Sequence, residues 1–181
     1  MRESNGDYLP RPKEAELYYL KTPNRFLPVT HKIDFLPVTQ LLEDEETCKT
    51  IWELLSCQFK TRSKFLTIWQ SVRFVTVQGR GADLAGFLFV SAPLNWQIDY
   101  VVVSPARRHQ GIAAALVNET LNQAFTRKVP YVMLTSREGL RPLYEKACGF
   151  SVVGGTGNLG GTRNHGKIGD HAVCLPVSEA V

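Results

Sequence analysis

The residues best suited to chemistry lie in one stretch, Ile98-Asp99-Tyr100-Val101-Val102-Val103-Ser104-Pro105-Ala106-Arg107-Arg108-His109-Gln110-Gly111-Ile112-Ala113. An apolar strand runs into Pro105, a short basic loop follows, and a helical period begins near Gly111. The first turn of a helix leaves backbone N–H groups without internal acceptors and carries partial positive charge. A pyrophosphate is a natural ligand for such an end. Gly111 removes the side chain that would hold phosphate oxygens off the backbone, and Ala113 is nearly as small. Arg107 and Arg108 add positive charge, with His109 beside them as a further candidate. By physical reasoning this is a phosphate cradle. The same residues also fit a plain helix start with solvated arginines, and the loop alone does not separate the two. Neither a P-loop nor a G-x-G-x-x-G pattern is present, which argues against nucleotide hydrolysis and nicotinamide binding.

The surrounding elements must position that loop. Thr39–Phe59 reads as a helix, with Leu41, Leu42, Cys48, Ile51, Trp52, Leu55 and Phe59 on one face and the acidic run Glu43–Glu46 near its start. Three strands follow, Val72–Val77, Leu84–Ser91 and Trp96–Val103, forming a meander whose first turn is the glycine-containing Gln78–Asp83. A helix runs from Gly111 to a stop before Pro130, then a short buried strand at Tyr131–Thr135. A second helix spans Gly139–Cys148 and ends at Gly149. Ser151–Val153, a glycine-dense loop over Gly154–Gly169 and a last strand at His171–Val177 complete the chain. This order predicts an α+β fold, a mixed sheet with helices on its faces. Residues 1–30, interrupted by Pro10, Pro12, Pro23 and Pro28, read as an N-terminal arm in which Ala15–Leu20 forms a turn or short strand, and 31–181 as one domain.

Composition narrows the function classes. With 181 residues, 44% apolar and 21% charged, the chain suits one globular domain. A net charge of +4, with Lys and Arg scattered, gives no case for nucleic acid. Nothing resembles a signal peptide or a run long enough to span a bilayer, so the expectation is a cytoplasmic protein with no membrane partner. Cys48, Cys57, Cys148 and Cys174 form no Cys-x-x-Cys pair, and His31, His165 and His171 have no paired spacing, so no metal site is expected.

With these elements in place, the chain resembles the GNAT superfamily of N-acetyltransferases. Arg108-His109-Gln110-Gly111-Ile112-Ala113 matches its [RQ]-x-x-G-x-[GA] loop, and Val103-Ser104-Pro105 its Val-x-Pro strand end. Leu143-Tyr144-Glu145-Lys146-Ala147-Cys148-Gly149-Phe150 is similar to its Y-E-K-x-G-F element, with one extra residue before Phe150. The resemblance implies a single GNAT-like domain with a mostly antiparallel, twisted sheet. It implies acetyl-CoA as co-substrate, held by Val101, Val103 and the loop–helix residues Arg108, His109, Gln110, Gly111, Ile112, Ala113 and Ala114. It also implies direct attack of an amine, from a small molecule or a protein, on the thioester. Tyr144 matches the family's tyrosine, whose hydroxyl protonates the departing sulfur; a phenol with a reference pKa of about 10 carries that proton at neutral pH.

Where several members carry a glutamate base, this chain has Gln97; Asp99, two residues on and by strand period on the same face as Gln97, Val101 and Val103, is the candidate base. A structural aspartate or a water relay are the alternatives at that position. Arg137 and Leu140 stand where many members have Asn and Ala, a departure at the usual side-chain contact to the pantetheine arm for which Arg137 or Ser136 are the candidate substitutes. These departures support an alternative, a non-catalytic domain that binds acyl-CoA as a regulator. Family members pair in different ways, so monomer and homodimer both remain open.

Overall fold

The computed structural model describes residues 16–58, 69–92 and 95–156. Seven strands form one sheet: β1 (Glu16–Lys21), β2 (Asp34–Pro37), β3 (Val72–Gln78), β4 (Gly86–Ser91), β5 (Trp96–Val103), β6 (Val132–Arg137) and β7 (Ser151–Thr156). Their order across the sheet is β2-β3-β4-β5-β6-β1-β7. Every neighbouring pair is antiparallel except β5 with β6. The mixed, mostly antiparallel sheet flanked by helices is therefore the expected fold.

Three helices matter: α1 (Val38–Leu41), α2 (Glu45–Gln58) and α3 (Ile112–Thr126). The single helix expected over Thr39–Phe59 is broken at 42–44 for a local reason. Asp44 caps α2, accepting from the Thr47 backbone N–H at 3.0 Å and from the Thr47 hydroxyl at 2.6 Å. Those bonds from Thr47 hold the Asp44 carboxyl below its ordinary pKa. The acidic run thus ends one helix and starts the next.

The sheet has apolar cores on both faces. On one, Leu41, Ile51 and Leu55 of α1 and α2 pack on Val75, Phe87, Phe89, Tyr100 and Val102. On the other, Ile112, Leu116 and Leu121 of α3 pack on Leu88, Ile98, Val101 and Val103, together with Tyr144 and Phe150. Cys148 is also buried there, and burial pushes its thiol up to about 12, as expected of an inert structural thiol.

Two differences from expectation concern elements at the ends. Residues 16–21, placed within the arm, form a strand between β6 and β7, with Leu17 and Tyr19 fully buried. Alternation in Glu16-Leu17-Tyr18-Tyr19 directs Leu17 and Tyr19 inward, but only long-range pairing gives the segment its place. Gly154 and Gly155, expected in a loop, continue β7 opposite Tyr18 and Leu17. The rest of that loop and the strand expected at His171–Val177 lie outside the described residues. No described helix is long and apolar enough to cross a membrane.

Candidate active site

The loop after β5 is built as a helix start. Pro105–Arg107 make a 3₁₀ turn, His109 adopts φ 61°, and Gly111 precedes α3 at φ 77°. A positive φ is strained for any residue with a side chain, and two such positions within three residues mark a loop held in an unusual shape. The first helical bond runs from the Ala115 N–H to the Gly111 carbonyl at 3.0 Å. The N–H groups of Ile112, Ala113 and Ala114 are therefore left at the helix end.

Among the described residues, a β-carbon on Gly111 would meet only the Cε1 of His31, at 3.8 Å, so glycine is favoured here by conformation and not by crowding from those residues. His109, Gln110 and Gly111 are exposed, and Ile112 and Ala113 anchor the helix in the core beneath. Arg108 is half-buried, and its Nε is buried without a hydrogen-bond partner among the described residues. An orphaned guanidinium N–H beside free backbone donors fits an anion, which would satisfy it. The residues present therefore suit the phosphate portion of a nucleotide-linked thioester.

Next to the cradle the sheet opens. The β5–β6 ladder consists of Trp96 with Val132 and Gln97 with Met133, and it goes no further. From there β5 continues on β4 and β6 continues on β1, so the two strands part with no further ladder pairs between them among the described residues. Valine side chains could not reveal this splay, because a strand buried on both faces reads the same whether paired or parted.

Opposite the opening, β5 carries a bulge. Phe89 pairs with Tyr100 and Val90 with Ile98, so Asp99 is the extra residue. The bulge breaks the two-residue period. Trp96 and Ile98 face the α3 side, as do Val101 and Val103, whereas Tyr100 and Val102 face the α2 side. The expectation that Gln97, Asp99, Val101 and Val103 share one face is thus corrected: Gln97 and Asp99 join Ser91 on the α2 side.

On that side Asp99 Oδ1 accepts from the Ser91 hydroxyl at 3.2 Å and from Gln97 Nε2 at 3.1 Å. Its Oδ2 is buried with no hydrogen-bond partner among the described residues, and the residue is only 8% exposed. Burial raises the carboxyl to about 6, against the lowering effect of the bonds from Ser91 and Gln97. Burial and the Asp99 charge also raise the phenol of Tyr100.

On the opposite side stands Tyr144. The helix expected over Gly139–Cys148 is instead a 3₁₀ turn, Glu138–Leu140, followed by a π-helical turn, Pro142–Ala147. The Cys148 N–H reaches the Leu143 carbonyl, five residues back, at 3.1 Å. A π turn is how a helix absorbs one inserted residue, which accounts for the extra residue before Phe150. Tyr144 is fully buried between Tyr19 (ring centroids 5.2 Å apart) and Phe150 (6.0 Å). Its hydroxyl has no hydrogen-bond partner among the described residues. Arg137 is exposed at the end of β6, while Ser136 is buried. Among the described residues no cluster of metal-ligating side chains is found; His165, His171 and Cys174 lie outside them.

A strand–loop–helix unit thus stands beside a splayed, bulged strand. Residues 38–150 match the model of the acetyltransferase (GNAT) family, and the chain belongs to that family. Solved structures share the fold. A GCN5-related N-acetyltransferase from Sphaerobacter thermophilus is 24% identical with a TM-score of 0.58, over 78% of this chain and 49% of that one. A GNAT-family putative acetyltransferase from Novosphingobium aromaticivorans is 16% identical with a TM-score of 0.57, over 78% and 61%. A GNAT-family acetyltransferase from Colwellia psychrerythraea is 13% identical with a TM-score of 0.52, over 78% and 53%. The chain thus spans about half to three fifths of the length of these proteins. No curated protein matches the sequence.

Proposed function

We propose that this chain is an acetyl-CoA-dependent N-acetyltransferase that acts on a primary amine, of a small molecule or a protein, by direct attack on the thioester. The observation that carries it is the slot between β5 and β6, with Tyr144 on one face of the sheet and Asp99 on the other. Acetyl-CoA supplies the activated acyl group. The N–H groups of Ile112, Ala113 and Ala114, with Arg108, His109 and Gln110, hold its phosphates. The parted edge of β5, at Val101 and Val103, offers backbone groups to the pantetheine arm and donors to the thioester oxygen.

Asp99 Oδ2 takes a proton from the incoming ammonium on the α2 side. The amine nitrogen then bonds to the acyl carbon, the carbon–sulfur bond breaks, the Tyr144 hydroxyl protonates the departing sulfur on the α3 side, and the second proton lost by the nitrogen passes through solvent to restore the Tyr144 phenol. Acid and base on opposite faces suit an attack in which nucleophile and leaving group lie on opposite sides of the slot. Catalysis distinguishes this reading from the regulator that only binds acyl-CoA. The acceptor is a small molecule or a protein amine, and the chain works as a monomer or a homodimer in this reading.

A thermal-shift panel with acetyl-CoA, CoA, ATP and NAD, followed by thiol release with an amine panel, tests it. A ligand at 100 times its dissociation constant stabilises by about 2.7 kcal/mol. We expect shifts with acetyl-CoA and CoA only, and thiol release with at least one amine. No shift with either CoA species would end this reading, whereas shifts without turnover on any amine would leave the regulator.

The cradle makes its own prediction. Gly111→Val places a β-branched residue at φ 77°, costing about 1–2 kcal/mol, and puts methyl groups into the space left for phosphate. The variant should melt several degrees lower and lose most of the shift induced by acetyl-CoA. Equal shifts in variant and parent would mean that the phosphates sit elsewhere.

A further inference from the structure

Residues 22–33, between β1 and β2, form a strap along α3. Near the helix C-terminus the ring of Phe26 meets Phe125 edge-on at 5.0 Å. Asn122 clamps the main chain of Leu27 from both sides: Oδ1 accepts from its N–H at 2.7 Å and Nδ2 donates to its carbonyl at 2.9 Å. One turn nearer the helix start, Asn118 Nδ2 donates to the Pro28 carbonyl at 3.2 Å. Both asparagines are at least nine-tenths buried, in a helix whose other inward positions are largely apolar. Buried amides in such a face are justified by the main chain they fix.

What the strap delivers is His31. Its Cε1 lies 3.8 Å from where a β-carbon on Gly111 would stand, beside the start of α3. Thr30 Oγ1 is 2.9 Å from His31 Nδ1. With that hydroxyl donating, the neutral ring carries its proton on Nε2, the nitrogen bonded to the same Cε1. The imidazole then presents an N–H donor at the edge of the cradle.

We propose that His31 is a further phosphate-binding residue of this site, supplied by the N-terminal strap and positioned by Asn118 and Asn122. This rests on the reading of the cradle as a CoA site. The ligand chemistry is a phosphate ester or pyrophosphate oxygen of the co-substrate, which gains a side-chain donor in addition to the backbone donors of α3. The strap thereby makes the segment before β2 part of cofactor recognition, although it is remote in sequence from the loop at Arg108–Gly111.

The test is calorimetric titration of CoA into the parent chain, His31→Ala and His31→Gln, with the unliganded melting temperature of each. A hydrogen bond to a charged group lost from the site should raise the dissociation constant about tenfold in His31→Ala. His31→Gln, which keeps an N–H donor, should recover much of that loss. A role confined to holding the strap would lower the unliganded melting temperature and leave the dissociation constant unchanged, which would overturn the proposal. Tight CoA binding by all three proteins alike would overturn it too, with the cradle left standing. Failure of the parent chain to bind CoA would remove both.

Discussion

Tyr144→Phe should lower the rate of thiol release at saturating acetyl-CoA about 100-fold, the usual scale for removal of a positioned general acid. Acetyl-CoA should still bind with nearly the parental dissociation constant, because the phosphates are held at the start of α3 and not by the phenol. Stability separates this from a packing role. The Tyr144 hydroxyl is buried without a hydrogen-bond partner among the described residues, so in the free protein it is desolvated without return. Its removal, with the ring kept between Tyr19 and Phe150, should leave the melting temperature unchanged or raise it slightly. A variant that loses activity only in proportion to lost stability would make Tyr144 a core residue and nothing more. Retained turnover in a stable variant would assign the proton to water or to another group.

The local parts of this architecture are legible in the sequence because local chemistry sets them. Pro105, Gly111 and the helical period after it define the strand–loop–helix unit, and β5 spans the residues its apolar run predicts. The relation between Asp99 and Val101 is harder to read, because a period of two holds only while the ladder is regular. Both faces of β5 are buried, so no polar face betrays the slip. The one available trace is the spacing of Trp96, Ile98, Val101 and Val103, two, three and two residues apart on the α3 face.

Pairing between distant segments was beyond local signals altogether. Leu17 and Tyr19 alternate as a strand should, yet nothing within Glu16–Lys21 specifies insertion between β6 and β7. His31 carries no motif either, and becomes part of the site only because Asn118 and Asn122 draw the strap along α3. The side-chain types were visible, but their convergence is a tertiary property.

Asp99→Asn should make the protein more stable and much less active, and the sign follows from the raised carboxyl. Burial holds Asp99 at about 6 in the folded chain, against an ordinary value of 3.8. Well below pH 3.8 the group is protonated in both folded and unfolded states, and there is no penalty. As pH rises toward 6 the unfolded state releases its proton first, so stability is lost across that window. Above it, the charged carboxylate disfavours the fold by on the order of 2–3 kcal/mol. Asparagine removes that cost and keeps an acceptor for Ser91 and Gln97, but its amide inherits the unpartnered Oδ2 position, returning about 1 kcal/mol. The variant should therefore be about 1–2 kcal/mol more stable at pH 8 by denaturant unfolding, with no such advantage at pH 4. Activity should move the other way. The parent should gain about tenfold per pH unit below 6 and level off above it, and the variant should lose about 100-fold or more on that plateau, along with the acid limb. Burying an unpaired carboxylate at the bulge would then be a stability cost retained for proton transfer. A variant with parental turnover and the same acid limb would show that the base lies elsewhere. The stability gain alone would then remain, as a measure of what Asp99 costs the fold.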